Sequence, residues 1–196
     1  MRTICVVFVL SAYCAVPGAG VSYGQASVPA MPPGQRPAPV EKNPPGDIPD
    51  NQVFVLYRSP LGFSIKVPEG WARRETTDSV TFTDKYNVVG IMVSPRAQRP
   101  TLEDLRTGQV RELQVTGRAI SVSALKSVGL PSGRVFVVSY RSNSERNPVT
   151  NKEIRLDNER YFFWKDGRLA TLTVSAPSGA DNADQWQLMA KSFGWQ

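Results

Sequence analysis

The amino-acid sequence predicts an α+β domain whose mostly antiparallel sheet is packed by one internal helix and a C-terminal helix. Three observations predict it. Segments with apolar residues at every second position recur between turn-forming residues. Two stretches carry apolar residues at helical spacing instead. Each of these comes after a group of strands rather than alternating with single strands, the order of an α+β fold rather than a parallel α/β one.

Gln52 to Tyr57 alternates, Arg58-Ser59-Pro60-Leu61-Gly62 breaks it, and Phe63 to Val67 alternates again up to Pro68. Phe63, Ile65 and Val67 fall on one face of that second strand and Ser64 and Lys66 on the other. Glu69-Gly70-Trp71 ends the hairpin. Ser79 to Thr83 and Asn87 to Ser94 form a second pair around Asp84-Lys85-Tyr86, and Pro95 and Pro100 stop it.

Thr101-Leu102-Glu103-Asp104 then reads as a helix start with a capping side chain. Leu102, Leu105, Gln109 and Leu113 lie on one stripe, and Gly117 is the end. Gly108 weakens this helix from inside by about 1 kcal/mol relative to alanine. A short strand near Ile120 to Leu125 precedes three longer ones at Gly133 to Arg141, Lys152 to Trp164 and Arg168 to Ser175. Lys165-Asp166-Gly167 is a tight hairpin turn. The last helix begins at Asp181, which has capping-box spacing to Asp184, and presents Trp186, Met189, Ala190 and Phe193 to the sheet.

The stretch from Gly62 through Phe63, Pro68 and Gly70 to Trp71, the strand pair after it, the helix from Thr101-Leu102 and the ending Asp181 to Trp195 together resemble the PsbP-like fold. That family includes photosystem II extrinsic subunits and mycobacterial LpqN-type lipoproteins, and the resemblance spans residues 51–196. It implies an α-β-α sandwich and a non-enzymatic envelope or accessory role, and it transfers no binding residue. The closing phrase, Ser175 to Asn182 and on through Ser192 to Trp195, resembles exported actinobacterial proteins of unassigned role.

Residues 1–26 read as a secretory signal: Met1-Arg2-Thr3 gives a positive start and Ile4 to Val16 a thirteen-residue, largely apolar run. As a helix that run would reach about 20 Å against the roughly 30 Å of a hydrocarbon core, too short for a comfortable span. Gly24-Gln25-Ala26 and Gly18-Ala19-Gly20 both offer cleavage sites. Cys14 is a lipidation candidate, although Tyr13 stands where a lipoprotein signal carries a small residue. Residues 27–50 hold eight of the sixteen prolines and no aromatic residue, so they read as a proline-rich linker able to reach on the order of 70 Å.

Residues 51–196 carry 20 Lys and Arg against 14 Asp and Glu. The cations are scattered and alternate with acids, the pattern of a solvated surface, so nucleic acid is not an expected partner. The chain has no histidine, and both cysteines, Cys5 and Cys14, lie in the leader. A mature chain beginning near Ser27 therefore has no disulfide, thiolate metal site or cysteine nucleophile. No cofactor motif is present.

Glu103-Asp104 and Glu153 with Asp157 are carboxylate candidates by residue type, with helix capping and a solvated strand face as the competing explanation. Ser132, within Gly129 to Gly133, lacks the strand-turn-helix context of a nucleophile elbow. The aromatic run Tyr161-Phe162-Phe163-Trp164 puts rings on both faces of a strand. Tyr161 and Phe163 are candidate partner-binding residues if their face is bare, and structural residues if the C-terminal helix covers it. Arg141, Arg146 and Lys152, around the polar connection Ser142 to Thr150, are the surface candidates for an acidic partner.

The expected function is an exported, non-catalytic, envelope-associated interaction or accessory domain whose partner is an envelope protein, a lipid or a cell-wall component. Membrane contact is expected only through an uncleaved leader or an acylated Cys14. An exported hydrolase using carboxylate or Ser-Lys chemistry and a small-lipid binding or transfer protein are the alternatives.

Overall fold

The period of two read in the β segments sorts their side chains onto two faces, and each face has its own cover. The computed structural model describes residues 36–42 and 46–196. The signal read at 1–26, with Cys14, and the first part of the linker lie outside the described residues. In chain order the elements are β1 (Phe54–Ser59), β2 (Phe63–Pro68), β3 (Ala72–Glu75), β4 (Ser79–Asp84) and β5 (Asn87–Pro95). Next come α1 (Leu102–Leu105), a π-helical turn (Arg106–Val110) and α2 (Arg111–Thr116). After them come β6 (Ser121–Leu130), β7 (Gly133–Asn143), β8 (Arg155–Lys165), β9 (Arg168–Pro177), α3 (Ala183–Ser192) and β10 (Gly194–Trp195).

Seven strands form one antiparallel sheet in the order β3-β4-β5-β9-β8-β7-β6, and β1-β2-β10 form a second, smaller one. The small sheet and α3 lie on one face of the large sheet. Phe63 and Ile65 of β2 with Met189, Ala190 and Phe193 meet Val80, Ile91, Leu172 and Phe163 there. The internal helix lies on the other face, where Leu105 and Val110 pack on Val138, Tyr140, Phe162 and Leu169. This is the predicted α+β sandwich, with one face of the large sheet sharing its cover between a helix and three strands.

The predicted turns and cap form for the predicted reasons. Asp166 and Gly167 take positive φ of 47° and 77°, the left-handed pair that an Asp-Gly hairpin supplies at low cost. Thr101 accepts from the Asp104 amide at 3.1 Å while the Asp104 carboxylate accepts from the Thr101 amide at 2.8 Å, a complete capping box. These hydrogen bonds hold the Asp104 carboxyl below its ordinary pKa. The contribution of Asp104 is therefore present above the ordinary carboxylate range and lost as pH falls through its lowered pKa. Replacing Thr101 by alanine is expected to cost about 1 kcal/mol, read as a lower urea midpoint with an unchanged slope.

Several elements differ from the sequence reading, β10 among them, since no strand is expected after the last helix. Ala72–Glu75 forms an additional edge strand, held by its ladder to β4 and by the Tyr57 hydroxyl, which donates to Glu75 at 2.9 Å, and all four of its residues are exposed. The first helix is interrupted by the π-helical turn around Gly108, where the residue weakest in helix propensity sits. β6 runs on to Leu130, its alternation upset by a bulge between Val122 and Ala124. The capping box expected at Asp181 and Asp184 does not form: the helix starts later, with Asn182 at its cap position, because Asn182 and the Asp181 amide are engaged elsewhere.

They are engaged by the stretch read as linker. Asn182 accepts from the Ile48 amide at 2.7 Å and donates to the Gly46 carbonyl at 2.8 Å, and the Asp47 carboxylate accepts from the Asp181 amide. Asn143 holds residues 36–38 in the same two-sided manner, accepting from the Ala38 amide and donating to the Arg36 carbonyl. Ile48 is buried. These residues form a strap on the domain rather than a spacer, and the folded body begins before residue 51.

Candidate functional site

β6, β7 and β8 run beyond the cover of the small sheet, and their floor becomes polar as it leaves the core. Cross-strand pairing sets the gradient. Val128 lies opposite Val135, Val137 opposite Tyr161, Ser139 opposite Glu159, and Arg141 opposite Asp157. Rows two residues apart on one face of a strand are separated by roughly 7 Å, so apolar and charged rows share a single floor. α3 forms the wall. Two adjoining hollows of about 440 and 420 Å³ lie between helix and floor and have Asp157, Glu159 and Trp186 in common. Lys126 and Lys191 stand at the rim of the larger one.

The two carboxylates on the floor differ in their partners. Asp157 accepts from Arg141 Nε at 2.9 Å, from Ser178 Oγ at 2.9 Å and from the Gly179 amide at 3.2 Å, so its charge is compensated. Among the described residues Glu159 accepts only from the hydroxyls of Tyr161 and Ser139 and forms no ion pair. Burial first, and Glu159 second, raise the Tyr161 hydroxyl far above its ordinary pKa. Tyr161 therefore stays a hydrogen-bond donor at every physiological pH, holding the Glu159 side chain in place.

Two of the five partner-binding candidates reach this groove, Arg141 at its charged end and Tyr161 on its floor. The other three do not. Phe163 is core, its ring stacked on Phe193 with centroids 4.0 Å apart, and the C-terminal helix together with Phe193 and Trp195 covers this aromatic face. Arg146 pairs with Glu153 at 2.9 Å, and Lys152 is exposed beside it.

The carboxylate candidates are separated as well. Glu153 is enclosed by Arg118, Arg146 and Asn143, Glu103 pairs with Arg106, and Asp104 caps α1. Ser132 lies in the turn between β6 and β7. Trp186, Glu159 and Ser139 were missed as site residues, since the sequence marks them only as a helix apolar position and two ordinary strand positions.

No protein-family model matches the chain, and no curated protein matches it. Solved structures do. The cyanobacterial PsbP (CyanoP) of Synechocystis sp. PCC 6803 aligns with a TM-score of 0.53 at 17% identity, covering 77% of this chain and 98% of its own. The fold is PsbP-like.

Two others are more distant: a Bacteroides thetaiotaomicron VPI-5482 protein (TM-score 0.47, 11% identity, 72% of this chain and 48% of that one) and a Pseudomonas aeruginosa protein of unknown function (TM-score 0.44, 10% identity, 71% and 94%). At these identities the likeness concerns the fold alone, and the groove is described by its own residues. Among the described residues no helix is long and apolar enough to cross a membrane.

Proposed function

We propose that this chain is an exported, non-catalytic binding module that holds a small amphiphilic component of the cell envelope in the groove between α3 and β6–β8. The observation that carries the reading is the graded floor, apolar at Val128 and Val137 and polar at Ser139, Glu159 and Arg141, beneath the single aromatic wall of Trp186. An amphiphile matches that gradient end to end. A volume of about 440 Å³ lies within the range of ordinary small-molecule sites, which is roughly 300–1,000 Å³.

Binding is favoured over catalysis by the partners already present. Arg141 and Ser178 engage Asp157, and Tyr161 engages Glu159, so both carboxylates are held in place by protein partners. The apolar rows add the hydrophobic surface that would support a small-lipid ligand, which makes lipid binding a special case of the same reading.

Native mass spectrometry of the protein recovered from its own cells tests it. A bound small molecule is expected on the unaltered protein and absent from a folded Ser139→Phe variant, whose ring fills the polar half of the floor. A bare protein, or the same adduct on both, would end the reading.

A further inference from the structure

Arg96 and Arg99, then Arg134, then Lys165 and Arg168 come from three separate stretches of the chain, but the antiparallel order returns them to one end of the large sheet. Pro95, just before Arg96, is paired with Arg168; Lys165 is paired with Arg168 across the β8–β9 turn; and Arg134 comes just after the β6–β7 turn. A cleft of about 170 Å³ lies among them, lined by Arg99, Ser132, Arg134, Lys165 and Trp195. It shares no lining residue with the groove under α3.

Arg96 pairs with Asp104 at 3.8 Å, but among the described residues the other cations at this end lack such a partner. Arg99, Arg134, Lys165 and Arg168 form no ion pair there, and the acid carried by these turns is Asp166 at the hairpin tip. Arg99 Nη2 donates to the Arg134 carbonyl, which fixes one guanidinium edge, and among the described residues its other N–H groups have no acceptor. Arg168 lies over the Trp195 ring at 4.6 Å. Among the described residues the buried Trp195 indole Nε1–H has no acceptor, whereas that of Trp164 donates to the Arg96 carbonyl at 2.8 Å. A buried donor without a partner is uncommon, and here it belongs to a ring lining a cationic cleft.

We propose that this cleft binds a phosphate-class oxyanion, either free or as the phosphodiester of an anionic lipid headgroup. Such a group carries several acceptor oxygens on one small centre. It would offset the mutual repulsion of three or four cations and take hydrogen bonds from guanidinium and hydroxyl donors together. The small volume suits a tetrahedral oxyanion better than a planar or extended ligand.

The full chain carries four tryptophans, so four indole N–H cross-peaks report in a nitrogen-proton correlation spectrum, and Trp195→Phe identifies the one from this cleft. At constant ionic strength, sodium phosphate is expected to move the Trp195 peak to saturation while sodium chloride does not. Combining Arg99→Gln with Arg134→Gln is expected to weaken the response at least roughly ten-fold, whereas Lys126→Gln at the groove leaves it unchanged.

A second arm uses sedimentation with phosphatidylglycerol and phosphatidylcholine vesicles. Saturation by inorganic phosphate supports a free oxyanion as the ligand. Retention on phosphatidylglycerol vesicles alone, lost in the double variant, supports the headgroup. A Trp195 peak that moves no more than the other three, together with no selective retention, overturns the proposal, and so does an equal response from the double variant or from chloride.

Discussion

Phe193→Ala is expected to lower stability by about 3–5 kcal/mol, the range for deleting a buried phenylalanine. Phe193 is 2% exposed and sits between two other rings, 5.6 Å from Phe63 and 4.0 Å from Phe163, both nearly parallel to it, with Trp195 edge-on at 5.5 Å. These three contacts join β2 and β10 of the small sheet to β8 of the large sheet. One truncation therefore opens a cavity where three elements meet and forfeits ring interactions worth on the order of 0.5–1.5 kcal/mol each beyond burial.

Because single domains are stable by only about 5–15 kcal/mol, a large fraction of the variant is expected to be unfolded at moderate denaturant. Phe193→Leu, which keeps most of the volume, should recover the greater part of the loss. Guanidinium unfolding followed by far-ultraviolet dichroism checks both. A loss below about 1 kcal/mol for Phe193→Ala would mean that the site relaxes around the missing ring, and that the small sheet is not anchored through it.

That anchor was partly legible in the sequence. The alternation of Phe63, Ile65 and Val67 and the spacing of Met189, Ala190 and Phe193 each mark a buried face, because periodicity is a local property. The Asp166-Gly167 turn and the Thr101 cap were legible for the same reason: the residues that need the conformation are adjacent to it. β3 was not, since Ala72-Arg73-Arg74-Glu75 buries nothing and is a strand only because β4 offers it a free edge. The groove was not legible either. Lys126, Ser139, Glu159 and Trp186 come from four elements, and each is an ordinary residue within its own segment. The basic cleft hides in the same way, because Arg99, Arg134 and Lys165 alternate with other residue types along the chain and become neighbours only through strand order.

The strap is the largest departure. Proline-rich composition implies that a segment builds no core of its own, but it says nothing about whether the backbone groups of residues 36–42 and 46–50 find partners on a core built elsewhere. Asn143 and Asn182 supply those partners from positions more than 100 residues away in the chain. An asparagine amide has both a carbonyl and an N–H₂ group, so one side chain can satisfy a backbone donor and a backbone acceptor of an extended segment at once. That explains why asparagine occupies both positions. It also explains why the helix cap expected from Asp181 and Asp184 is missing, because the Asn182 side chain at the cap position is turned toward the strap.

Asn182→Ala is consequently expected to cost about 2–4 kcal/mol. Asn182 is 1% exposed, and its removal leaves the Ile48 amide and the Gly46 carbonyl without their present partners, each an unmet polar group worth roughly 1–3 kcal/mol where it stays buried. Asn182→Asp separates the two halves of the clamp. It keeps the acceptor for Ile48 but loses the donor to Gly46 and to the Asn87 side-chain oxygen, and its expected cost lies between alanine and wild type.

Location distinguishes this loss from general destabilisation. Deuterium exchange at the Ile48 amide should accelerate by a much larger factor than at Tyr161 or Leu172 in the middle of the large sheet, because the strap can open without the sheet opening. Uniform acceleration at all three positions would show that residues 46–50 are an inseparable part of the core, and an unchanged Ile48 rate would show that the Asn182 side chain does not hold this part of the strap.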